Sequence, residues 1–148
     1  MSEYRKNVAA IIINNKNQIW LGERFDRMAW GFPQGGIDKG ETAEEALHRE
    51  LHEELAISAD DYEIIAEHPD WLRYDFPAGM TFKTWTYKGQ EQKYFLIRLT
   101  DEAVIDLEKY DKEFLKYKWV DFESFPYDEV GFKVEIYRAV LEYFGNIL

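Results

Sequence analysis

The chain has 148 residues, of which 18 are Lys or Arg and 29 are Asp or Glu, giving a formal net charge of −11, and it contains no cysteine. This length predicts one domain over residues 1–148 that buries roughly 70% of its unfolded surface and folds as a monomer. The acidity argues against proteins that bind DNA duplexes through a broad basic surface, and against docking on anionic membranes. The absence of cysteine excludes disulfides, thiolate metal sites and cysteine nucleophiles.

The first apolar run, residues 8–13, is too short for the core of a signal peptide or for a membrane span, and no later run is long enough. We therefore expect a soluble cytoplasmic protein, which the absence of cysteine also fits. The run is rich in β-branched residues and predicts a buried strand. Asparagines in residues 14–17 predict a turn, and residues 18–24 are then the returning strand of a hairpin.

A glycine-rich segment leads into the first predicted helix. Residues 32–40 contain Pro33 and three glycines, a composition typical of a loop. Thr42 is a suitable N-cap, and Glu45 three residues later completes a capping box. Apolar residues then recur at helical spacing and predict a buried stripe, namely Ala43, Ala46, Leu47, Leu51 and Leu55.

The second half of the chain mixes short strands with turns and ends in a helix. Between residues 60 and 90, turn signals separate aromatic-rich strand candidates such as 82–87, and residues 93–99 and 116–121 are two further predicted strands. A terminal helix is predicted over 129–144, with an apolar side formed by Phe132, Ile136, Val140 and Phe144. The order of elements predicts an α/β (α+β) sandwich and not a doubly wound sheet.

The first helix also carries an acidic face. Glu50, Glu53 and Glu54 have the spacing i, i+3, i+4, so that their carboxylates project from neighbouring positions and repel each other. A solvated acidic surface is one interpretation. A site for a hard divalent cation is the other, because such ions prefer oxygen ligands and the preceding Gly35 and Gly36 allow the backbone to approach a ligand closely.

These residues resemble the signature of the Nudix family. The signature places Gly, then Glu six positions later, then Arg-Glu and a Glu-Glu pair at fixed spacing. The chain matches it from Gly35 through Glu41 and residues 49–55. Ala56 stands where the family has a glycine, a residue that ends the helix in the left-handed region, so the exit of the helix is the part of the pattern that departs.

The resemblance implies a Nudix-type α/β/α sandwich with a mixed central sheet, and hydrolysis of nucleoside diphosphate derivatives by water attack on phosphorus. It implies Mg²⁺ as cofactor, with Mn²⁺ able to substitute, and structural roles for Glu41 and Arg49. Glu50, Glu53 and Glu54 are the implied catalytic residues, with Glu50 a ligand or the general base. The implied metal-binding residues are Gly35, Glu50, Glu53, Glu54 and Glu113.

Segments outside the signature resemble one branch of the family, which contains bacterial RNA pyrophosphohydrolases and dinucleoside polyphosphate hydrolases. They are residues 4–8, 30–36, 71–74, 89–95, 113–114 and 118–120. Lys6 and Gly31 depart from that branch, which has Pro and Gln at these positions. Carried over by position, the implied substrate-binding residues are Arg5, Arg24, Tyr74, Gln92, Lys93, Phe132 and Lys133. Phe132 and Arg24 would sandwich a base.

Each of these assignments has a structural alternative. Taken alone, Arg24 fits a residue at a strand edge, Phe132 fits a core residue of a helix, and Lys93 and Lys133 fit solvated lysines. The predicted function is removal of pyrophosphate from triphosphorylated RNA 5′ ends. Hydrolysis of dinucleoside polyphosphates such as diadenosine tetraphosphate is the alternative, and an inactive nucleotide-binding Nudix module is a third hypothesis.

Overall fold

The computed structural model describes residues 3–25, 29–78 and 86–148. Most of the strand candidate at 82–87 lies outside these ranges. The strands are β1 Tyr4–Ile13, β2 Ile19–Arg24, β3 Trp30–Gly31, β4 Gln34–Gly36, β5 Tyr62–Glu67, β6 Leu72–Asp75, β7 Gly89–Leu99 and β8 Phe114–Val120. The helices are α1 Ala43–Leu55 and α2 Val134–Gly145, and short 3-10 turns span Ala59–Asp61, Tyr127–Glu129 and Gly131–Lys133.

The strands in these ranges form one mixed sheet, as predicted. β1 runs parallel to β7, from Tyr4 opposite Gly89 to Ile13 opposite Arg98. The other pairings are antiparallel: β2 and β4 pair with β1, β8 pairs with β2, and β5 and β6 both pair with β7. β4 thus pairs directly with β1, which places the two glycines of the loop against the central strand.

Each face of the sheet carries one helix, which confirms the predicted sandwich. Successive side chains of a strand point to opposite faces. In β1, Val8, Ala10 and Ile12 therefore pack in the core beneath α1, whereas Ala9, Ile11 and Ile13 pack in the core beneath α2. Residues 7–13 of β1 are nearly inaccessible on both faces, which explains the continuous apolar run at 8–13.

Helix α1 has the predicted start and an unusual end. Thr42 caps the helix, and its side chain and that of Glu45 form the reciprocal bonds of a capping box. The apolar stripe predicted from the sequence lies against the sheet, with Leu51 and Leu55 inaccessible to solvent. Ala56 ends the helix with φ 58°, so the left-handed exit typical of glycine is kept by an alanine.

Helix α2 begins later than predicted. The sequence pattern placed its start at residue 129, but the helix starts at Val134 and is preceded by the two 3-10 turns around residue 130. Gly131 has φ 68°, a conformation that interrupts an α-helix. Phe132 and Lys133 consequently lie in the 3-10 turn immediately before α2. In the part of the chain that the structure describes, neither helix has the length and apolarity to cross a bilayer.

Candidate active site

Glu54 is a buried carboxylate on α1 with an unsatisfied oxygen. The residue is 3% exposed, and within the described ranges its Oε2 has no hydrogen-bond partner. Burial, followed by the charges of Glu50 and Glu113, raises the pKa of Glu54 well above its usual value. Because an isolated buried carboxylate is costly, this arrangement requires either a proton or a cation at Glu54.

Glu50 lies beside Glu54 and directly against the glycine loop. A β-carbon added to Gly35 would overlap the carboxyl group of Glu50. Burial raises the pKa of Glu50, while a hydrogen bond of 2.7 Å from Arg49 Nη1 opposes this shift. Glu53 is more exposed, and its Oε2 lies 3.6 Å from the same Arg49 nitrogen.

Arg49 fastens the loop to the helix. Its Nε and Nη2 each donate to a carboxylate oxygen of Glu41 at 2.8 Å, and Nη2 also donates to the carbonyl of Gly36 at 2.9 Å. The Arg49 guanidinium, with help from the backbone N–H of Asp38, lowers the pKa of Glu41 to about 2. These bonds agree with the structural roles that the sequence resemblance implied for Glu41 and Arg49.

Arg24, the last residue of β2, and Glu113, the residue before β8, also interact with Glu54. Arg24 Nη2 lies 3.8 Å from Glu113 Oε2, and the guanidinium lies 5.8 Å from the centre of the Phe114 ring. The positive charge of Arg24 favours ionised Glu54, whereas the charge of Glu113 disfavours it. The structure therefore brings Arg24 next to the acidic cluster. Its predicted role in sandwiching a base stays a prediction.

The residues of this cluster suit a hard divalent cation. Within the described residues no three Asp, Glu or His side chains stand in a ready-made metal-binding arrangement. Nevertheless, the unsatisfied Oε2 of Glu54, the adjoining carboxylates of Glu50 and Glu113 and their mutual repulsion form an all-oxygen donor set. Mg²⁺ and similar ions prefer such donors, and a cation would offset the charge repulsion.

A second cluster combines cationic and aromatic side chains on the face of the sheet that carries α2. Gln90 links its members: it accepts a hydrogen bond from Arg5 Nη1 at 3.5 Å and donates one to the Tyr74 hydroxyl at 2.7 Å. The ring of Tyr74 lies 5.7 Å from that of Phe132, and Lys133 Nζ lies 5.7 Å from the centre of the Tyr74 ring. Four predicted substrate-binding residues are thus neighbours.

The two glycines of β4 connect these clusters. Gly35 contacts Glu50, whereas a β-carbon on Gly36 would overlap the guanidinium of Arg5. Since neighbouring residues of a strand point to opposite faces, the acidic cluster and Arg5 lie on the two sides of this strand. A polyphosphate crossing the edge of β4 would meet both.

Gln92 and Lys93 lie on opposite faces of β7 and do not share one surface. Gln92 is fully buried, where it donates to Asn7 at 2.8 Å and Gln34 at 2.7 Å and accepts from Tyr94. Lys93 Nζ lies 3.2 Å from the Pro69 carbonyl and 3.3 Å from Glu67. Their predicted place beside the polyphosphate is not supported by these contacts and stays a prediction.

Sequence reasoning missed two residues of this region. Gln90 lies in the segment 89–95 that resembles the family branch, and its position two residues before Gln92 on the same strand face is a usable signal. Tyr137 of α2 was missed as well: its hydroxyl accepts from the Phe32 amide at 3.2 Å and occupies the space that a side chain at Gly31 would need. No signal in the sequence links these distant positions.

Comparisons with known proteins identify the family. A model described as NUDIX domain matches residues 3–140. An RNA pyrophosphohydrolase of Helicobacter pylori is 46% identical over 147 residues, which cover 96% of this chain and 94% of that protein. The RNA pyrophosphohydrolase of a Nitratiruptor species is 48% identical over 146 residues, covering 95% of this chain and 93% of that protein.

Solved structures agree on the fold. A Caenorhabditis elegans Ap4A hydrolase in a binary complex matches with a TM-score of 0.70 and 19% identity, covering 95% of this chain and 96% of that chain. The MutT protein of Methanosarcina mazei Go1 matches with a TM-score of 0.67 and 19% identity, covering 97% and 94%. Members of the matched family generally need divalent metal ions. The family match and the relatives at 46–48% identity together show that the chain belongs to the Nudix family and is a Nudix hydrolase.

Proposed function

We propose that this protein removes pyrophosphate from triphosphorylated RNA 5′ ends. The proposal rests on one observation of the site, the buried Glu54 with its unsatisfied oxygen beside Glu50. Such a pair of carboxylates is what a metal-dependent phosphohydrolase needs to bind its cation. It is supported by relatives named RNA pyrophosphohydrolase that are 44–48% identical and align over nearly the whole chain. An inactive binding module would not need an acidic cluster that is this costly to bury.

The proposed cofactor is Mg²⁺, with Mn²⁺ able to substitute. A bound divalent cation supplies two things, neutralisation of phosphate oxygens and polarisation of the attacking water. The residues that would hold it are Gly35, through its carbonyl, Glu50, Glu53, Glu54 and Glu113.

Two acidic residues have distinct places in the proposed chemistry. Among the carboxylates that the structure describes, Glu54 is the most deeply buried, and it suits a ligand. Glu50 suits a ligand or the general base, because it lies directly against the glycine loop and beside Glu54. Water oxygen attacks phosphorus, the bond to the leaving pyrophosphate breaks, and the water proton passes to the base. The products are 5′-monophosphate RNA and pyrophosphate.

The cationic and aromatic cluster would hold the substrate. Arg5 and Lys133 would contact phosphate oxygens, and Phe132 would stack on a base, with Arg24 as the second side of the sandwich. Tyr74 supports Phe132 and, with Gln92 and Lys93, was predicted to line the polyphosphate site. We further propose that residues 1–148 form one domain, act as a monomer, and work in the cytoplasm, where transcripts carry triphosphate ends.

Hydrolysis of diadenosine tetraphosphate is the alternative, because both substrates present a nucleoside attached to a polyphosphate. The test compares kcat/KM on a 5′-triphosphate RNA oligonucleotide with kcat/KM on diadenosine tetraphosphate in Mg²⁺. The proposal expects the RNA value to be higher. A much higher value for the dinucleotide would assign the alternative, and no hydrolysis of either substrate in Mg²⁺ or Mn²⁺ would favour a binding module.

A further inference from the structure

A cavity of about 850 Å³ lies beside the glycine loop, at the N-terminal ends of β1 and β7. Its volume is within the range of sites that hold small organic ligands. Its cationic and aromatic lining consists of Tyr4, Arg5, Lys6, Lys39, Tyr87 and Lys88. Apart from Arg5, none of these residues belongs to the site described above.

The cavity is basic in a strongly acidic protein. Arg5, Lys6, Lys39 and Lys88 line it, against the acidic residues Glu3 and Asp38, whereas the chain as a whole carries a net charge of −11. Lys6 Nζ is paired with Glu91 at 2.9 Å, so Arg5, Lys39 and Lys88 are the cations that carry the argument. Asp38 is further offset, because its Oδ2 lies 3.5 Å from Arg49 Nη2. Concentrating cations in one concave region while the rest of the surface is acidic favours an anionic ligand at this place.

Aromatic rings accompany these cations. Tyr4 has Arg73 4.1 Å from its ring centre, and Lys88 Nζ lies 5.5 Å from the same point. Tyr87 is a large aromatic side chain that remains 38% exposed beside the cavity. Alternation of cationic and aromatic side chains is the chemistry that binds single-stranded nucleic acid, with cations on phosphates and rings against bases.

The cavity adjoins the candidate active site at β4. Gly36 lines it, and the guanidinium of Arg5 lies against Gly36, while the preceding residue Gly35 contacts the carboxyl group of Glu50. The cavity and the proposed phosphate path therefore share Gly36 and Arg5.

We infer that this cavity binds the single-stranded RNA that follows the 5′ triphosphate, with Lys39 and Lys88 contacting phosphodiesters and Tyr4 or Tyr87 contacting a base. The inference rests on the proposed function and deepens it, because it supplies a reason for preferring RNA over a free dinucleoside polyphosphate. Lys39 and Lys88 are the residues to test, since neither belongs to the proposed catalytic or phosphate-binding machinery.

The first experiment measures binding without catalysis. An RNA decamer with a 5′ hydroxyl and a 3′ fluorescein cannot release pyrophosphate, and its Kd is followed by anisotropy over a series of salt concentrations. In the double variant Lys39→Gln, Lys88→Gln we expect Kd to rise about tenfold. The slope of log K against log salt should fall by about 1.4, since each phosphate contact on a single strand contributes about 0.7.

The matched control removes two cations elsewhere. Lys16→Gln, Arg98→Gln makes the same change in net charge at the opposite ends of β1 and β7, where Arg98 donates to Asn17 at 2.7 Å. This control should leave the RNA affinity and the salt slope near those of the wild type. Equal losses in both double variants would reduce the effect to overall charge and contradict the inference, as would absence of RNA binding by the wild type.

The second experiment separates the RNA segment from the polyphosphate. On a 5′-triphosphate RNA oligonucleotide, the Lys39→Gln, Lys88→Gln variant should show a KM raised about tenfold with kcat little changed, whereas its kinetics on diadenosine tetraphosphate should remain those of the wild type. An equal loss on both substrates would assign the cavity to the polyphosphate and overturn the inference. If RNA binds through these lysines but no pyrophosphate is released, the proposed function fails and the inference stands.

Discussion

Arg49 and Glu41 form a two-point ion pair, in which Nε and Nη2 of the arginine each donate to a carboxylate oxygen at 2.8 Å. The carboxyl group of Glu41 is 17% exposed and also accepts from the backbone N–H of Asp38 at 2.9 Å. The pair holds the loop against α1, so that Arg49 can also reach the carbonyl of Gly36 and the carboxyl group of Glu50.

Glu41→Gln should destabilise the protein at neutral pH by about 1–2 kcal/mol, because charge-assisted bonds to Arg49 are replaced by neutral ones. The pKa of Glu41 is lowered to about 2, so its contribution is present above the unfolded pKa of about 4.5 and is lost as the pH falls towards 2. Denaturant unfolding at several pH values should therefore show the difference from wild type shrinking over that range. Glu44→Gln, which changes an exposed glutamate in the first turn of α1, is the control. A difference for Glu41→Gln that stays constant with pH would contradict this account.

Glu54→Gln should lower turnover by about 10²–10⁴-fold, because a proposed metal ligand is lost. The fold should persist: without divalent ions, the Tm of the variant should equal or exceed that of the wild type, since one of several repelling buried carboxylates becomes neutral. The increase in Tm that Mg²⁺ gives the wild type should be absent from the variant. Near-normal turnover, or an unchanged Mg²⁺ effect on Tm, would refute the assignment of Glu54 to the metal.

Phe132→Ala should raise KM by about tenfold to a hundredfold, corresponding to the loss of about 1–3 kcal/mol of stacking on a base. Its Tm should change little, because Phe132 is only partly buried in the 3-10 turn before α2 and packs on Tyr74. Phe144→Ala is the comparison, since that ring is inaccessible to solvent and its removal should cost about 3–5 kcal/mol. A large fall in Tm for Phe132→Ala would support a core role instead.

Ala56→Gly should stabilise the protein by about 1 kcal/mol, because the alanine at φ 58° bears a left-handed strain that glycine lacks. Denaturant unfolding measures this effect, and kcat should not change. Ala59→Gly alters a nearby exposed alanine without positive φ and should be neutral or destabilising. If the two variants have the same stability, helix-exit strain is not the cause.

The acidic half of the site was predictable from the sequence because its residues are local. Helical spacing places Glu50, Glu53 and Glu54 on one face, and the capping box fixed the helix start at Thr42, as the structure confirms. The two-faced sandwich followed from the continuous apolar run of β1 and the order of elements.

The rest depends on contacts between distant parts of the chain. β7 begins at Gly89 and not at residue 93, because Gln90 and Gln92 are buried through hydrogen bonds that a hydrophobic pattern does not reveal. The start of α2 was displaced by the left-handed Gly131, which spacing alone could not indicate. The proximity of Arg24 to Glu113 arises where β2 pairs with β8, and no periodicity predicts such a pairing.

The Gly35–Gly36 strand also separates opposite charges. Glu50 and Arg5 would neutralise each other if they shared a face, but each lies against a different glycine on opposite sides of the backbone. Both nevertheless lie against the same short strand, one residue apart. Saturation mutagenesis should find that neither position tolerates a larger residue, but for opposite reasons. A side chain at position 35 would displace the carboxylate of Glu50, whereas one at position 36 would displace the guanidinium of Arg5.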